Sequence, residues 1–195
     1  MYYIIIFALL IIAELLYFKV ADRFNIIDKP NLRSSHDYIT IRGGGVIYWV
    51  AALLYLLFNF SSDVLLFFTG ITLISGVSFI DDITGLGQKV RLLFHLIAMS
   101  CVFYLAGVFG YIPWWIIIIG YILFIGIVNA YNFMDGINGI TGLYSLAVLG
   151  SLQYVNLVYG SFVNADLIWF PMIASVVFLL FNFRKRAKCF AGDVG

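Results

Sequence analysis

The stretch Phe-Ile-Asp-Asp-Ile-Thr-Gly-Leu-Gly-Gln-Lys-Val-Arg, residues 79–91, places two adjacent carboxylates at the end of a long apolar run. Asp81 and Asp82 repel each other, so each raises the free energy needed to ionise the other. A hard divalent cation such as Mg2+ offsets this repulsion, above all where carboxylates meet phosphates. The alternative is that the pair only ends a transmembrane helix in water, and the pair alone does not decide between the two interpretations.

The composition predicts an integral membrane protein. Hydrophobic residues make up 64% of the 195 residues and charged residues 11%, whereas a soluble domain is about half apolar and about a quarter charged. The apolar runs are continuous rather than alternating, which excludes a membrane barrel. We therefore predict an all-α polytopic membrane helix bundle that forms a single domain over residues 1–195. A helical span needs about 20 apolar residues, and seven candidates fit: Tyr2–Val20, Gly43–Phe60, Asp63–Ile80, Leu92–Gly110, Ile112–Val128, Ile140–Tyr159 and Asp166–Phe183.

The basic residues predict the orientation of these spans. All 11 Lys and Arg residues lie in or beside three of the connecting loops, and the remaining loops carry none. The positive-inside rule then places the N-terminus outside and the three basic loops in the cytoplasm. The basic residues are Lys19, Arg23, Lys29, Arg33 and Arg42, then Lys89 and Arg91, then Arg184, Lys185, Arg186 and Lys188.

The first basic loop, Ala21–Arg42, leads into three glycines at residues 43–45. A glycine-rich helix start offers free backbone N–H groups to an anion. Glycine is equally common where membrane helices pack closely. From these residues alone, phosphate contact and plain packing both remain open.

A third polar stretch, Asn129–Gly142, contains Asn129, Asn132 and Asp135 at intervals of three residues. If the helix continues to Asp135, the three side chains share one face. A capped helix end with a turn explains the glycines in this stretch, but it explains the regular polar spacing poorly. The stretch therefore favours a ligand site at a membrane exit. The sequence ends on Gly192-Asp193-Val194-Gly195, a pattern typical of a tight turn that presents a carboxylate.

Taken in order, these segments resemble the polyprenyl-phosphate N-acetylhexosamine-1-phosphate transferases. The resemblance runs over four motifs, Asp28–Gly45, Phe79–Arg91, Asn129–Gly142 and Phe190–Gly195, and covers essentially the whole chain. The first motif is most similar to the branch that starts O-antigen or capsule repeat units. Members transfer a sugar 1-phosphate from a UDP-N-acetylhexosamine to undecaprenyl or another polyprenyl phosphate and release UMP. This is the first membrane step of cell-envelope polysaccharide synthesis.

The resemblance implies a Mg2+-dependent site, with Mn2+ as an alternative ion, on the cytoplasmic side of the bacterial inner membrane. It implies catalytic roles for Asp81, Asp82 and Asp135, and metal ligands at Asp193, Asn132 and Asp81. The implied partners are the UDP-sugar, the polyprenyl phosphate and the lipid bilayer, with a homodimer as a further expectation and no nucleic acid. Substrate contacts are expected from Asn31, Arg33, Ser35, His36, Arg42, Lys89, Arg91, Asn129, Asn132 and Asn138.

The sequence departs from the family pattern at two places. Asn138 stands where many members have a second aspartate. The chain stops at Gly195, whereas members usually continue through further helices, so it is expected to be an N-terminal fragment with little activity. On this view Asp193, two residues from the end, is expected to be mobile or misplaced relative to the acidic pair.

Two other functions remain as alternatives. A transporter would suit seven spans with intramembrane polar groups, although transporter sites usually lie at the bilayer midplane. An inactive, truncated relative with a structural role is the second alternative. Within the transferase hypothesis, direct attack by the acceptor phosphate and a covalent aspartyl intermediate both stay open.

Overall fold

A computed structural model of the chain describes residues 2–28 and 38–195, and it confirms an all-α membrane helix bundle. The helices of the described residues are α1 (Tyr2–Phe24), α2 (Val46–Phe58), α3 (Ser62–Thr84), α4 (Gln88–Leu105), α5 (Val108–Tyr111), α6 (Trp114–Met134), α7 (Ile140–Val158) and α8 (Ala165–Asn182). Five of them, α1, α3, α4, α6 and α8, are long and apolar enough to cross a membrane, so this is a multi-pass membrane protein. Each of the seven predicted spans overlaps a helix, but Leu92–Gly110 extends from α4 into α5, and α2, with 13 residues, and α7 are not among the five.

Local signals explain where α3 begins and ends. The Ser61 side chain accepts a hydrogen bond from the backbone N–H of Val64 and so caps the first turn. At the other end Gly85 adopts a left-handed conformation, with φ of 67°, and its N–H donates to the Asp81 carbonyl. The helix therefore stops directly after the acidic pair, and both aspartates lie in its last turn.

The best-buried part of the bundle lies where α1, α2 and α8 meet. Ile6 and Leu10 of α1, Ile47 of α2, and Phe170 and Phe178 of α8 are almost completely buried. Close approach of neighbouring helices elsewhere depends on small residues, as is usual in membranes. A Cβ atom on Gly142 of α7 would lie 2.6 Å from Leu179 of α8, for example. By contrast, α6 has no buried residue, so every residue of this helix keeps part of its surface exposed.

A short sheet, which the sequence analysis did not predict, joins the first basic loop to the C-terminal segment. Strands β1 (Ile27–Asp28) and β2 (Thr40–Ile41) pair antiparallel, and Ile41 also bridges to Cys189. The backbone N–H groups of Gly44 and Gly45 then donate to the carbonyls of Phe190 and Ala191. The glycines thus serve close packing, because a Cβ atom on Gly45 would lie only 2.1 Å from Gly195. Their N–H groups are directed to protein carbonyls.

Candidate active site

The acidic pair faces two arginines from different parts of the chain. Arg91, near the start of α4, places its guanidinium 2.8 Å from Asp81 Oδ2. Arg42, which follows β2, lies with its Nε 2.8 Å from Asp82 Oδ1. The Asp82 side chain is completely buried, and its Oδ1 accepts no well-directed hydrogen bond despite this short ion-pair distance. Adjacent positions on a helix point in different directions, so each carboxylate meets its own cation.

Asp193 completes the cluster. Its carboxylate lies 3.1 Å from Arg91 and 3.6 Å from Arg42, so each arginine bridges Asp193 to one member of the acidic pair. The side-chain amide of Asn132, at the end of α6, donates a hydrogen bond to Asp193 Oδ1. We call Asp81, Asp82, Asp193, Arg42, Arg91 and Asn132 the acidic cluster. Contrary to the sequence-based expectation, Asp193 is placed directly beside the acidic pair.

The side chain of Asp135, directly after α6, contacts the backbone of the same C-terminal segment. Its Oδ1 accepts hydrogen bonds from the Ala191 N–H (3.0 Å) and the Thr141 hydroxyl (3.1 Å). Its Oδ2 accepts from the Gly192 N–H at 2.7 Å. Burial raises the pKa of Asp135 above its ordinary value, and these hydrogen bonds offset part of that effect because they favour the ionised form.

A cavity of about 440 Å³ opens from the acidic cluster into the bundle. Arg91, Asn132 and Asp193 line one end, whereas Tyr55 of α2 and Phe67 of α3 line the cavity farther into the bundle. Tyr55 lies nine residues after Val46, the first residue of α2, which is about 14 Å along the helix axis at 1.5 Å per residue. The cavity therefore joins a strongly charged mouth to an apolar interior within the membrane-spanning part.

A known family profile matches about two thirds of the chain. Residues 64–195 match the profile of Glycosyl transferase family 4. The chain belongs to this family.

Three curated relatives show what the chain is similar to. Undecaprenyl-phosphate alpha-N-acetylglucosaminyl 1-phosphate transferase of Yersinia pestis is 27% identical over 196 residues, which cover 91% of this chain and 53% of the relative. The protein of the same name in Salmonella typhi is 27% identical over 199 residues, with the same two coverages. Phospho-N-acetylmuramoyl-pentapeptide-transferase of Streptococcus pneumoniae (strain 70585) is 28% identical over 178 residues, covering 78% of this chain and 54% of the relative. The chain thus spans about half the length of the curated relatives it matches.

The other predicted site residues of this family 4 chain lie outside the acidic cluster. Lys89 is exposed on the first turn of α4. Asn129 is exposed and donates to the Ile125 carbonyl of its own helix. Asn138 donates to the Arg184 carbonyl at 2.7 Å and to the Tyr38 hydroxyl at 3.2 Å, so it ties two loops together. The predicted substrate contacts Asn31, Arg33, Ser35 and His36 lie outside the described residues.

Asn182, the last residue of α8, was missed by the sequence analysis. It is 1% exposed, and its side chain accepts from the Gly139 N–H (2.6 Å) and donates to the Cys189 carbonyl (2.8 Å). Asn182 therefore connects the third motif to the C-terminal segment. Its signal in the sequence is a single amide at the end of an apolar run, without the regular polar spacing that singled out Asn132.

The donor set fits a hard divalent cation. Carboxylate and amide oxygens are the ligands that Mg2+ prefers, and the buried Oδ1 of Asp82 lacks a hydrogen-bond donor. Among residues 2–28 and 38–195, however, no three acidic, His or Cys side chains stand close enough to form a ready-made metal cluster. Mg2+ commonly binds one or two carboxylates together with water and substrate phosphates, and the acidic cluster matches that mode.

Proposed function

We propose that this chain supplies the acceptor and metal side of a phospho-N-acetylhexosaminyl transferase site. In the reaction, a sugar 1-phosphate passes from a UDP-N-acetylhexosamine to a polyprenyl phosphate, and UMP is released. The observation that carries this proposal is that Asp81, Asp82 and Asp193 converge with two arginines, and that Asp193 and Arg91 of this cluster line one end of the apolar cavity. The names of the curated relatives, which include an undecaprenyl-phosphate acceptor, support the same class of reaction.

The chemistry requires a site that tolerates several phosphates. An oxygen of the acceptor phosphate attacks the phosphorus attached to the sugar, and a new P–O–P linkage forms. The bond between that phosphorus and the bridging oxygen breaks, and its electron pair leaves on UMP. Both reactants are anionic, so positive groups that are already in place lower the barrier.

Arg42 and Arg91 are the positive groups that the structure offers. Each bridges two carboxylates in the described state. Phosphate oxygens can replace these carboxylates as partners, because a guanidinium forms equally good forked hydrogen bonds to phosphate. Asp193 and Asp82, with Asn132 and Asp81 beside them, would hold a Mg2+ ion. When bound, that ion would neutralise charge on the diphosphate.

The acceptor needs little help from a base. The second pKa of a phosphate monoester is about 6, so the acceptor is largely dianionic at neutral pH. Asp81 or Asp82 would orient the acceptor or remove a residual proton in a direct attack, and an aspartyl intermediate is the competing route. The first isoprene units of the acceptor would enter the apolar cavity, which places the phosphate at its charged mouth.

The proposed location follows from charge and hydropathy. The basic loops would face the cytoplasm of a bacterium, where nucleotide sugars are made, and the apolar helices would lie in the inner membrane. The UDP-sugar would then reach the cluster from water and the polyprenyl phosphate from the bilayer.

A transfer assay tests the proposal. The purified chain, and a version extended to the length of its curated relatives, would receive Mg2+, UDP-N-acetylhexosamine labelled in the sugar, and undecaprenyl phosphate. We expect the extended version to move the label into an organic-extractable lipid and to release UMP in equal amount. Solute uptake into vesicles without labelled lipid would overturn the proposal in favour of a transporter.

A further inference from the structure

The C-terminal turn presents three consecutive backbone N–H groups, from Ala191, Gly192 and Asp193, and each donates to a carboxylate. The first two donate to Asp135, and the third donates to Asp82 Oδ2 at 3.0 Å. Gly192 lies at φ of +71°, a left-handed conformation that turns these donors toward both acids. A row of N–H groups in such a turn forms a concave site for anions. Here the anions are side chains of the protein.

Asp135 differs from the members of the acidic cluster in what it contacts. Both of its oxygens receive hydrogen bonds, three in all, and its side chain is only 7% exposed. Its hydrogen-bond partners are two backbone N–H groups and one hydroxyl, and among the described residues no arginine lies within ion-pair distance of it. A carboxylate with these partners fixes the conformation of the backbone segment that donates to it.

We propose that Asp135 is a positioning residue. It accepts hydrogen bonds from the backbone of Ala191 and Gly192 and thereby holds the Asp193 carboxylate beside Asp82 and the two arginines. The effect on transfer rests on the proposed function of Asp193, whereas the hydrogen bonds from Ala191 and Gly192 to Asp135 are independent of any activity. The family resemblance implies a catalytic role for Asp135, whereas its contacts are those of a residue that acts through Asp193.

Further hydrogen bonds hold the C-terminal turn and the Asp135 side chain in these positions. The same segment is held on its other side by the glycines at residues 44 and 45, whose N–H groups donate to Phe190 and Ala191. Asp135 therefore anchors the side of the turn that faces the cavity. Thr141 in the first turn of α7 donates to Asp135 Oδ1 and holds the carboxylate in the orientation that both N–H groups need.

The first experiment measures amide hydrogen exchange of the purified chain by mass spectrometry with residue-level fragmentation, without metal or substrate. Asp135→Asn replaces one acceptor oxygen by an NH2 group, which cannot accept from a backbone N–H. We expect exchange at Ala191 or Gly192 to accelerate at least about tenfold, which corresponds to about 1.4 kcal/mol. Asp63→Asn, the same chemical change on the exposed opposite end of α3, is the matched control and should leave both amides unchanged.

The second experiment measures the affinity for Mn2+ alone, by paramagnetic resonance, in a mutant cycle. Asp135→Asn should weaken binding about tenfold, while in an Asp193→Asn background it should have almost no further effect, because a residue that acts only through Asp193 is not additive with it. Additive losses would overturn the proposal by making Asp135 an independent ligand. If both amides exchanged at the wild-type rate in Asp135→Asn, the proposal that Asp135 holds the backbone at Ala191 and Gly192 would be wrong.

A milder variant covers the case in which Asp135→Asn fails to fold. Thr141→Val removes one of the three hydrogen bonds and should accelerate exchange at Ala191 by a smaller factor, whereas Thr141→Ser keeps the hydroxyl and should restore protection. Thr69→Val is the control, because the Thr69 hydroxyl bonds only to the Leu65 carbonyl of its own helix and is exposed. Equal exchange in Thr141→Val and wild type would contradict the proposal. Because the readout needs no substrate, a failed transfer assay would leave this result interpretable.

Discussion

The backbone N–H of Asp193 donates to Asp82 Oδ2 at 3.0 Å, although 111 residues separate the two aspartates in the chain. The two carboxylate oxygens of Asp82 thus have different partners in the structure. One oxygen holds the turn that carries Asp193, and the other faces Arg42. Because the Asp82 side chain is completely buried, its charge is poorly screened and strongly influences both neighbours.

We predict that Asp82→Asn nearly abolishes transfer in a version of the protein extended to the length of its relatives. The carboxamide keeps an oxygen for the Asp193 N–H, so the turn should persist, but the negative charge beside Arg42 is lost. We expect turnover to fall at least about a hundredfold, as is typical when a charged catalytic group is removed. Expression and the melting temperature should stay close to wild type, and Asp63→Asn serves as the control. Wild-type turnover at saturating Mg2+ would show that Asp82 has no catalytic role.

Gly192→Ala should disrupt the acidic cluster. The left-handed conformation at this residue costs an L-amino acid about 1–2 kcal/mol, and a Cβ atom would lie 2.6 Å from Asp82 Oδ2 and 3.2 Å from Gly43 Cα. We expect weaker Mn2+ binding and faster amide exchange at Asp193. Gly76→Ala in α3 is the matched control, because nothing lies within 4 Å of a Cβ atom there. It should leave Mn2+ affinity unchanged, and equal affinities in the two variants would contradict the steric argument.

The fold could be predicted to a large extent, because apolar runs of helix length are a local signal. The apolar helices that match the predicted spans and the end of α3 beside the acidic pair follow from patterns that can be read locally. The position of Asp193 next to Asp81 and Asp82 was not expected, because the contacts that hold it come from distant segments of the chain. The bridge from Ile41 to Cys189 and the packing of the glycines at residues 43–45 could not be predicted, since they depend on pairings between distant segments. The same holds for Asp135, because only the tertiary structure shows that its partners are the N–H groups of Ala191 and Gly192.

The predicted orientation can be checked by cysteine labelling in intact cells. Lys185 and Ser62 are exposed and lie at opposite ends of the bundle by the chain order of the helices. With Cys101 replaced by Ala, Cys at Ser62 should react with an impermeant thiol reagent and Cys at Lys185 should not. Native Cys189 can remain, because burial raises the pKa of its thiol above the ordinary value and little reactive thiolate forms. Labelling of the Lys185 position from outside would overturn the orientation.

We expect Arg91, which bridges Asp81 and Asp193 at 2.8 and 3.1 Å, to affect metal binding and transfer in opposite directions. In the absence of substrate its guanidinium competes with a metal ion for the same carboxylate oxygens. Hydrogen bonds to charged groups contribute about 1.5–3 kcal/mol, so Arg91→Ala should raise the affinity for Mn2+ alone by about tenfold or more. The same variant should reduce transfer in the extended protein, because a cation that can pass from carboxylate to phosphate is lost. Lys89→Ala is the control two residues away, since Lys89 is exposed, and it should leave Mn2+ affinity unchanged. If Arg91→Ala instead weakened Mn2+ binding, Arg91 would act by holding the carboxylates together, and the competition between guanidinium and metal would be wrong.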